Sequence, residues 1–186
     1  MSPDPRSFVL ETKLCVVHFS HHAKMRDDGV FPDDLQAAIG NCADWTLSCC
    51  ALTPGHTMGL PGDVGVIFEI DNPKQIVSVC SDDSGSSQTE DGSDQSFGSE
   101  PSLSALNASL DVACGRYNEW RVIGAKVSGI YVENTNSIQA KRKVTFEVSG
   151  VQVEDIVAGP VNLESVKNSF PNLSVFTFQN GCLVEI

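Results

Sequence analysis

Short apolar runs separated by turn residues set the pattern of this chain. The first, Lys13-Leu-Cys-Val-Val-His-Phe-Ser20, is apolar nearly throughout and reads as a buried strand. Pro32-Asp-Asp-Leu-Gln-Ala-Ala-Ile39 follows, with proline and acids in a first turn and Gly40 behind it, which predicts a helix. Residues 45–52, 65–70 and 75–79 are β-prone runs, and Pro54-Gly55 and Pro61-Gly62 mark turns between the first two.

Farther along, Ser102 can cap a helix whose Leu103, Leu106, Leu110 and Ala113 recur at spacings of three and four before Gly115. Strands are predicted at 119–123, 129–133 and 144–148, and a short helix at 163–169. Residues 175–178 and 183–186 face each other across Asn180-Gly181, a hairpin signal. Strands outnumber helices and mostly run consecutively. That order predicts an α+β fold of mixed or antiparallel β-sheets with packed helices rather than regular β-α-β winding, and no internal repeat interrupts it.

Composition adds one domain and one loop. The chain has 186 residues, 41% hydrophobic and 19% charged, which suits a single domain over residues 1–186 with a packed core. Residues 81–101 are rich in Ser, Asp and Gly and contain no Lys or Arg, which predicts a flexible acidic loop whose one large apolar residue, Phe97, is either a lid anchor or simply exposed. No run of about 18 apolar residues is present. The opening Met-Ser-Pro-Asp-Pro-Arg lacks the pattern of a secretion signal, so a cytoplasmic location without membrane association is expected.

Seven cysteines (Cys15, Cys42, Cys49, Cys50, Cys80, Cys114, Cys182) without a repeated spacing suit reduced, mostly buried thiols, which makes the sequons at Asn107 and Asn172 irrelevant. A net charge of −12 disfavours DNA, RNA and anionic lipid as partners. The basic run Lys141-Arg142-Lys143 reads as a solvated edge beside a strand.

Familiar catalytic motifs are missing: Gly-x-Gly-x-x-Gly, the P-loop pattern, Gly-x-Ser-x-Gly and His-Glu-x-x-His do not occur. His18, His21, His22, Cys42, Cys49, Cys50 and His56 are zinc-ligand types, yet they form no Cys-x2-Cys pair, and no metal is expected. Polar residues placed on predicted strands remain: His18 and Ser20, Ser48 to Cys50, and Glu119. Polar groups inside apolar strands need partners or a purpose.

Those residues carry a resemblance. Val16-Val-His-Phe-Ser20 resembles the first strand of ADP-ribosyltransferase-fold proteins, where a His or Arg is followed two positions on by Thr or Ser. Cys49-Cys50-Ala-Leu-Thr-Pro54 and Gly65-Val-Ile-Phe68 are similar to the second- and third-strand region of abortive-infection and DarT-like members. Tyr117-Asn-Glu-Trp-Arg-Val122, with Gly129-Ile-Tyr-Val132, resembles the strand bearing the catalytic glutamate and the strand after it. The motifs are scattered over residues 14–133 in the family's triad order, and Cys50 stands where that pattern has an aromatic.

The resemblance implies NAD as substrate and a mono-ADP-ribosyltransferase of toxin, effector or phage-defence type. Glu119 would stabilise the oxocarbenium-like charge that develops as the nicotinamide–ribose bond breaks, and would orient the acceptor. His18 and Ser20 would grip the adenosine ribose and the nicotinamide end. Ser48, Cys50 and Tyr117 would complete the NAD pocket, with Arg26 or Arg121 on the pyrophosphate. The acidic surface favours a protein acceptor over a nucleic acid, and an antitoxin or inhibitor is a further implied partner.

Other readings of the same residues stand beside this one. His18 as a satisfied core histidine, Ser20 as a strand-end hydroxyl and Glu119 as an acid paired with Arg121 or Lys126 need no ligand. A non-catalytic acidic module that docks on a basic partner, a NAD glycohydrolase, and a cysteine nucleophile at Cys49 or Cys50 beside His18 or His56 are the alternatives.

Overall fold

β-branched and aromatic residues at alternating positions build most of the architecture. The computed structural model describes Ser7 and residues 14–19, 24–25, 33–53, 63–81, 101–111 and 117–186. Eight strands form one sheet: β1 (Cys15–Phe19), β3 (Leu47–Leu52), β4 (Val64–Glu69), β5 (Ile76–Cys80), β6 (Glu119–Val122), β7 (Lys126–Val132), β10 (Val175–Gln179) and β11 (Cys182–Glu185). Their spatial order is β11-β10-β7-β4-β1-β3-β6-β5. Only the β7–β10 pair is parallel within this sheet, so it is mixed but mostly antiparallel. A second sheet joins β2 (Lys24–Met25), β8 (Ile138–Val148) and β9 (Val151–Val161).

Helices α1 (Asp33–Asn41), α2 (Leu103–Leu110) and α3 (Leu163–Ser169) contribute to a single apolar cluster. In it Leu35, Ala38, Leu106 and Val166 pack on Val16, Cys49, Ala51, Val66, Trp120, Val122 and Ile130. Strand alternation sends the neighbouring residues to the opposite face. There Cys15, Val17, Phe19, Cys50, Leu52, Ile67 and Tyr131 form a second buried cluster, flanked by Tyr117, Phe176 and Phe178. Two edge-to-face contacts order its rings, Phe19–Tyr131 at 5.7 Å and Tyr131–Phe178 at 5.9 Å between centroids.

The α+β class and the mixed sheet agree with the sequence pattern, and α3 and the β10–β11 hairpin fall where expected. Asn180 and Gly181 close that hairpin with φ of 52° and 76°, the left-handed pair that a two-residue turn demands. Boundaries moved where a turn intervened. Trp45 is 54% exposed and outside β3, because its backbone N–H bonds back to Asn41 O at 2.8 Å and prolongs the turn that leaves α1. Helix α1 runs through Gly40 rather than stopping before it. Helix α2 is capped by Ser102 and ends at Leu110, while the expected stop at Gly115 and most of the 81–101 loop lie outside the described residues.

Two strands were not anticipated, the two-residue β2 and the long β9. β9 carries adjacent acids and a Gly159-Pro160 pair, features that demote a strand in sequence, but its outer edge pairs with no other described strand and tolerates proline there. Ser149 and Gly150, at φ of 54° and 81°, supply the tight turn that joins it to β8. With its partner found, β8 starts at Ile138 rather than at residue 144.

Gly129 is required by packing rather than by backbone angle. A Cβ there would lie 2.6 Å from the Phe176 ring and 2.8 Å from Ser174 O, so backbone as well as side chain would have to move. Gly129→Ala is expected to lower stability by about 1–3 kcal/mol, read as a shifted urea midpoint. An unchanged midpoint would mean that β7 and β10 are not packed this closely.

Candidate functional site

Three strands that are far apart in sequence lie side by side. β3 pairs with β1 on one edge, through Cys15↔Leu52 to Val17↔Cys50. On its other edge it pairs with β6, through Leu47↔Val122, Ser48↔Arg121 and Cys49↔Trp120. His18, Ser48 to Cys50 and Glu119 therefore sit on consecutive strands.

The faces divide this set. Trp120 and Val122 point into the helix-covered core, so Glu119 and Arg121 belong to the opposite face, with Ser48 and Cys50. Tyr117 joins them, its hydroxyl 3.2 Å from Ser48 Oγ. His18 alternates with Val17 and Phe19 and lies on the helix-covered side. The β1–β3 register stops at Val17↔Cys50, and the His18 ring reaches Ser48 O at 2.6 Å. A carbonyl oxygen can only accept, so Nδ1 carries the proton in this contact. His18 thus holds the backbone of Ser48 from the helix-covered side, the face opposite Glu119. Ser20 and Arg26, together with His21, His22 and His56, lie outside the described residues.

A residue that the sequence did not single out shares the Glu119 face. The β5–β6 register shifts between Ile76 and Ser78, and the extra residue, Val77, is 47% exposed. This bulge sets Ser78 opposite Arg121 and Cys80 opposite Glu119. Ser78 is 8% exposed, and its hydroxyl has no hydrogen-bond partner among the described residues. Glu119 itself is 6% exposed. A carboxylate, a guanidinium and three hydroxyls on one sheet face form a set able to hold a sugar or phosphate and to stabilise positive charge.

Burial governs the acidity of the thiols and the phenol on both faces here. It pushes the Tyr117 hydroxyl up, opposed by the hydrogen bond with Ser48. It pushes Cys15 up to about 12, and raises Cys49 and Cys50 as well; the Cys50 and Glu119 charges add to the effect at Cys49. Buried neutral thiols are poor nucleophiles, which removes support from a cysteine mechanism. The described cysteines are all free, and no three His, Cys, Asp or Glu side chains among the described residues gather as metal ligands.

The polar residue that organises the region is Asn118, which no sequence motif marks. Its Oδ1 accepts from Ala51 N at 2.9 Å and from Cys50 Sγ at 2.8 Å. Its Nδ2 donates to Ala51 O at 3.0 Å and to Ser109 O at 2.8 Å. The amide thereby replaces a backbone partner for β3 two residues beyond the last β3–β6 pair, Cys49↔Trp120, and ties that strand to α2. Trp120 Nε1 donates to Ser109 Oγ at 2.9 Å, and Ser109 Oγ donates to Leu106 O at 2.7 Å. The only sign in the sequence was a polar residue at the mouth of an apolar strand.

Comparison with family models, with curated proteins and with solved structures finds no match to the chain. No helix among the described residues is long and apolar enough to cross a membrane.

Two outcomes follow from these bonds. Asn118→Ala orphans buried groups on β3 and α2, each worth roughly 1–3 kcal/mol, and Asn118→Asp sets an oxygen against the carbonyls of Ala51 and Ser109. Both variants are expected to melt well below wild type; an Asp variant as stable as wild type at neutral pH would refute this donor assignment. In a native-state labelling experiment at mildly alkaline pH, the exposed Cys182 should alkylate readily, and Cys15, Cys49 and Cys50 only after denaturation. Peptide mapping by mass spectrometry reads the difference.

Proposed function

We propose that the chain is a NAD-consuming mono-ADP-ribosyltransferase that modifies a macromolecule, with Glu119 as its catalytic carboxylate. The observation that carries this reading is the adjacency of β1, β3 and β6, which gathers the three resembling motifs from residues 18, 48–50 and 119 into neighbouring strands. Ser48, Tyr117, Glu119 and Arg121 share one face there.

On this reading Glu119 stabilises the positive charge of the ribosyl centre as nicotinamide departs, and Arg121 answers the pyrophosphate. Tyr117 and Ser48 hold hydroxyls of the substrate. His18 acts as a positioning residue: its ring fixes the Ser48 carbonyl, and through it the hydroxyl on the opposite face. The net charge of −12 favours a protein acceptor over a nucleic acid.

One observation favours a non-catalytic reading: Glu119 is nearly inaccessible and packs among buried residues. Nicotinamide release from NAD separates the two, measured for wild type and Glu119→Gln in buffer and in cell lysate. Transferase activity requires lysate-dependent release with label on a macromolecule, lowered about a hundredfold or more in Glu119→Gln. Release in buffer alone identifies a glycohydrolase. Absence of turnover, together with absence of a NAD-induced thermal shift, would sink the NAD reading and leave the binding module.

A further inference from the structure

Three side chains that the sequence keeps far apart are lined up by the register of β3, β6 and β5. Ser48 stands opposite Arg121 on one side of β6, and Ser78 stands opposite it on the other. Neighbouring strands lie about 4.8 Å apart, so the three positions form a row on the order of 10 Å long, on the face away from the helices. The Tyr117 hydroxyl, 3.2 Å from Ser48 Oγ, extends the row at one end.

The two serines differ in one respect. Ser48 Oγ is within hydrogen-bond reach of Tyr117, whereas Ser78 Oγ is buried and meets no partner among the described residues. A hydroxyl in that state destabilises a fold, and an apolar side chain would suit the strand better. The β-bulge at Val77 is what turns Ser78 away from the helix-covered core and sets it beside Arg121. A buried polar group retained against stability, and aimed at a cation, is placed to be completed by a ligand.

Every member of the row can donate a hydrogen bond, and Arg121 is permanently charged, which suits an oxyanion with several acceptor atoms. Glu119, the acid of β6, stands two residues along that strand, opposite Cys80, and so about 7 Å off the row. Ser48, Tyr117 and Arg121 are partly exposed, and Val77 beside Ser78 is 47% exposed, so the row is open to the surface along its length.

We infer that Ser48, Arg121 and Ser78 form an anion subsite for a phosphate or pyrophosphate group, with Ser78 donating its O–H to a phosphate oxygen that Arg121 also holds. This rests on the NAD reading only for the identity of the ligand, whose pyrophosphate would lie here. The row itself would take the same group from another phosphoester or diphosphate.

The test titrates the full chain with inorganic pyrophosphate and, separately, with ADP-ribose, by calorimetry at physiological salt, where repulsion from distant acids is screened. Both should bind wild type, and Ser78→Ala should weaken each by about tenfold or more, the loss of one hydrogen bond to a charged acceptor. Without ligand, Ser78→Ala should raise the urea midpoint, because the unsatisfied hydroxyl is gone. Greater stability combined with weaker binding separates a ligand-holding hydroxyl from a structural one. No binding of pyrophosphate, unchanged affinity in Ser78→Ala, or a lower midpoint in that variant would overturn the inference. Ser78-dependent binding of pyrophosphate without binding of ADP-ribose upholds the subsite and removes NAD as its ligand. NAD turnover at an unchanged KM in Ser78→Ala upholds the enzyme reading and removes the subsite.

Discussion

The side-chain amide of Asn118 is the contact on which the centre of this molecule depends. It is fully buried, and all four of its hydrogen bonds go to groups that would otherwise be orphaned away from water. Two reach the backbone of Ala51, so a side chain does the work of a ladder residue. A third fixes the carbonyl of Ser109 at the end of α2, where Trp120 also bonds. Helix, inner strand and the strand bearing Glu119 are thereby locked in one register, and the amide's O and N ends are distinguished by chemistry alone.

That lock has a price in accessibility for any chemistry at Glu119. The carboxylate stands one residue from the clamp and one residue from Trp120, so its position is narrowly set. Ser48 is similarly constrained from both sides of the sheet, with its carbonyl held by His18 and its hydroxyl near Tyr117. Ser78 is the exception on this face: a β-bulge delivers its hydroxyl into a buried setting where no group among the described residues satisfies it. Bulges that aim a polar group in this way are features rather than defects, because a regular ladder would have turned Ser78 toward the apolar core.

How much of this was legible in sequence depends on the range of the interaction. Strands β1, β3 and β4, helix α3 and the Asn180-Gly181 hairpin were readable because apolar periodicity and turn chemistry are local. Neighbourhood in the sheet was not, since β3 meets β6 through residues about seventy positions apart, as between Ala51 and Asn118. The face of His18 illustrates the loss: a motif lists residues in order, but the pleat decides which of them meet, and it divides His18 from Glu119. β9 escaped notice because its acids and Pro160 are poor strand residues in isolation and acceptable only at an edge. Asn118 gave no pattern, as a single polar residue beside an apolar run is equally at home in a loop.

The strand order also bears on how the chain is made. Among the described strands β5 has a single neighbour in the sheet, β6, and β3 keeps one edge open until that same strand arrives. A ribosome delivers both long before it delivers β6, so a nascent chain must hold incomplete ladder edges while the intervening residues emerge. Sheet completion is therefore a late event of high contact order, and the interval before it is when the growing polypeptide is most open to misassociation.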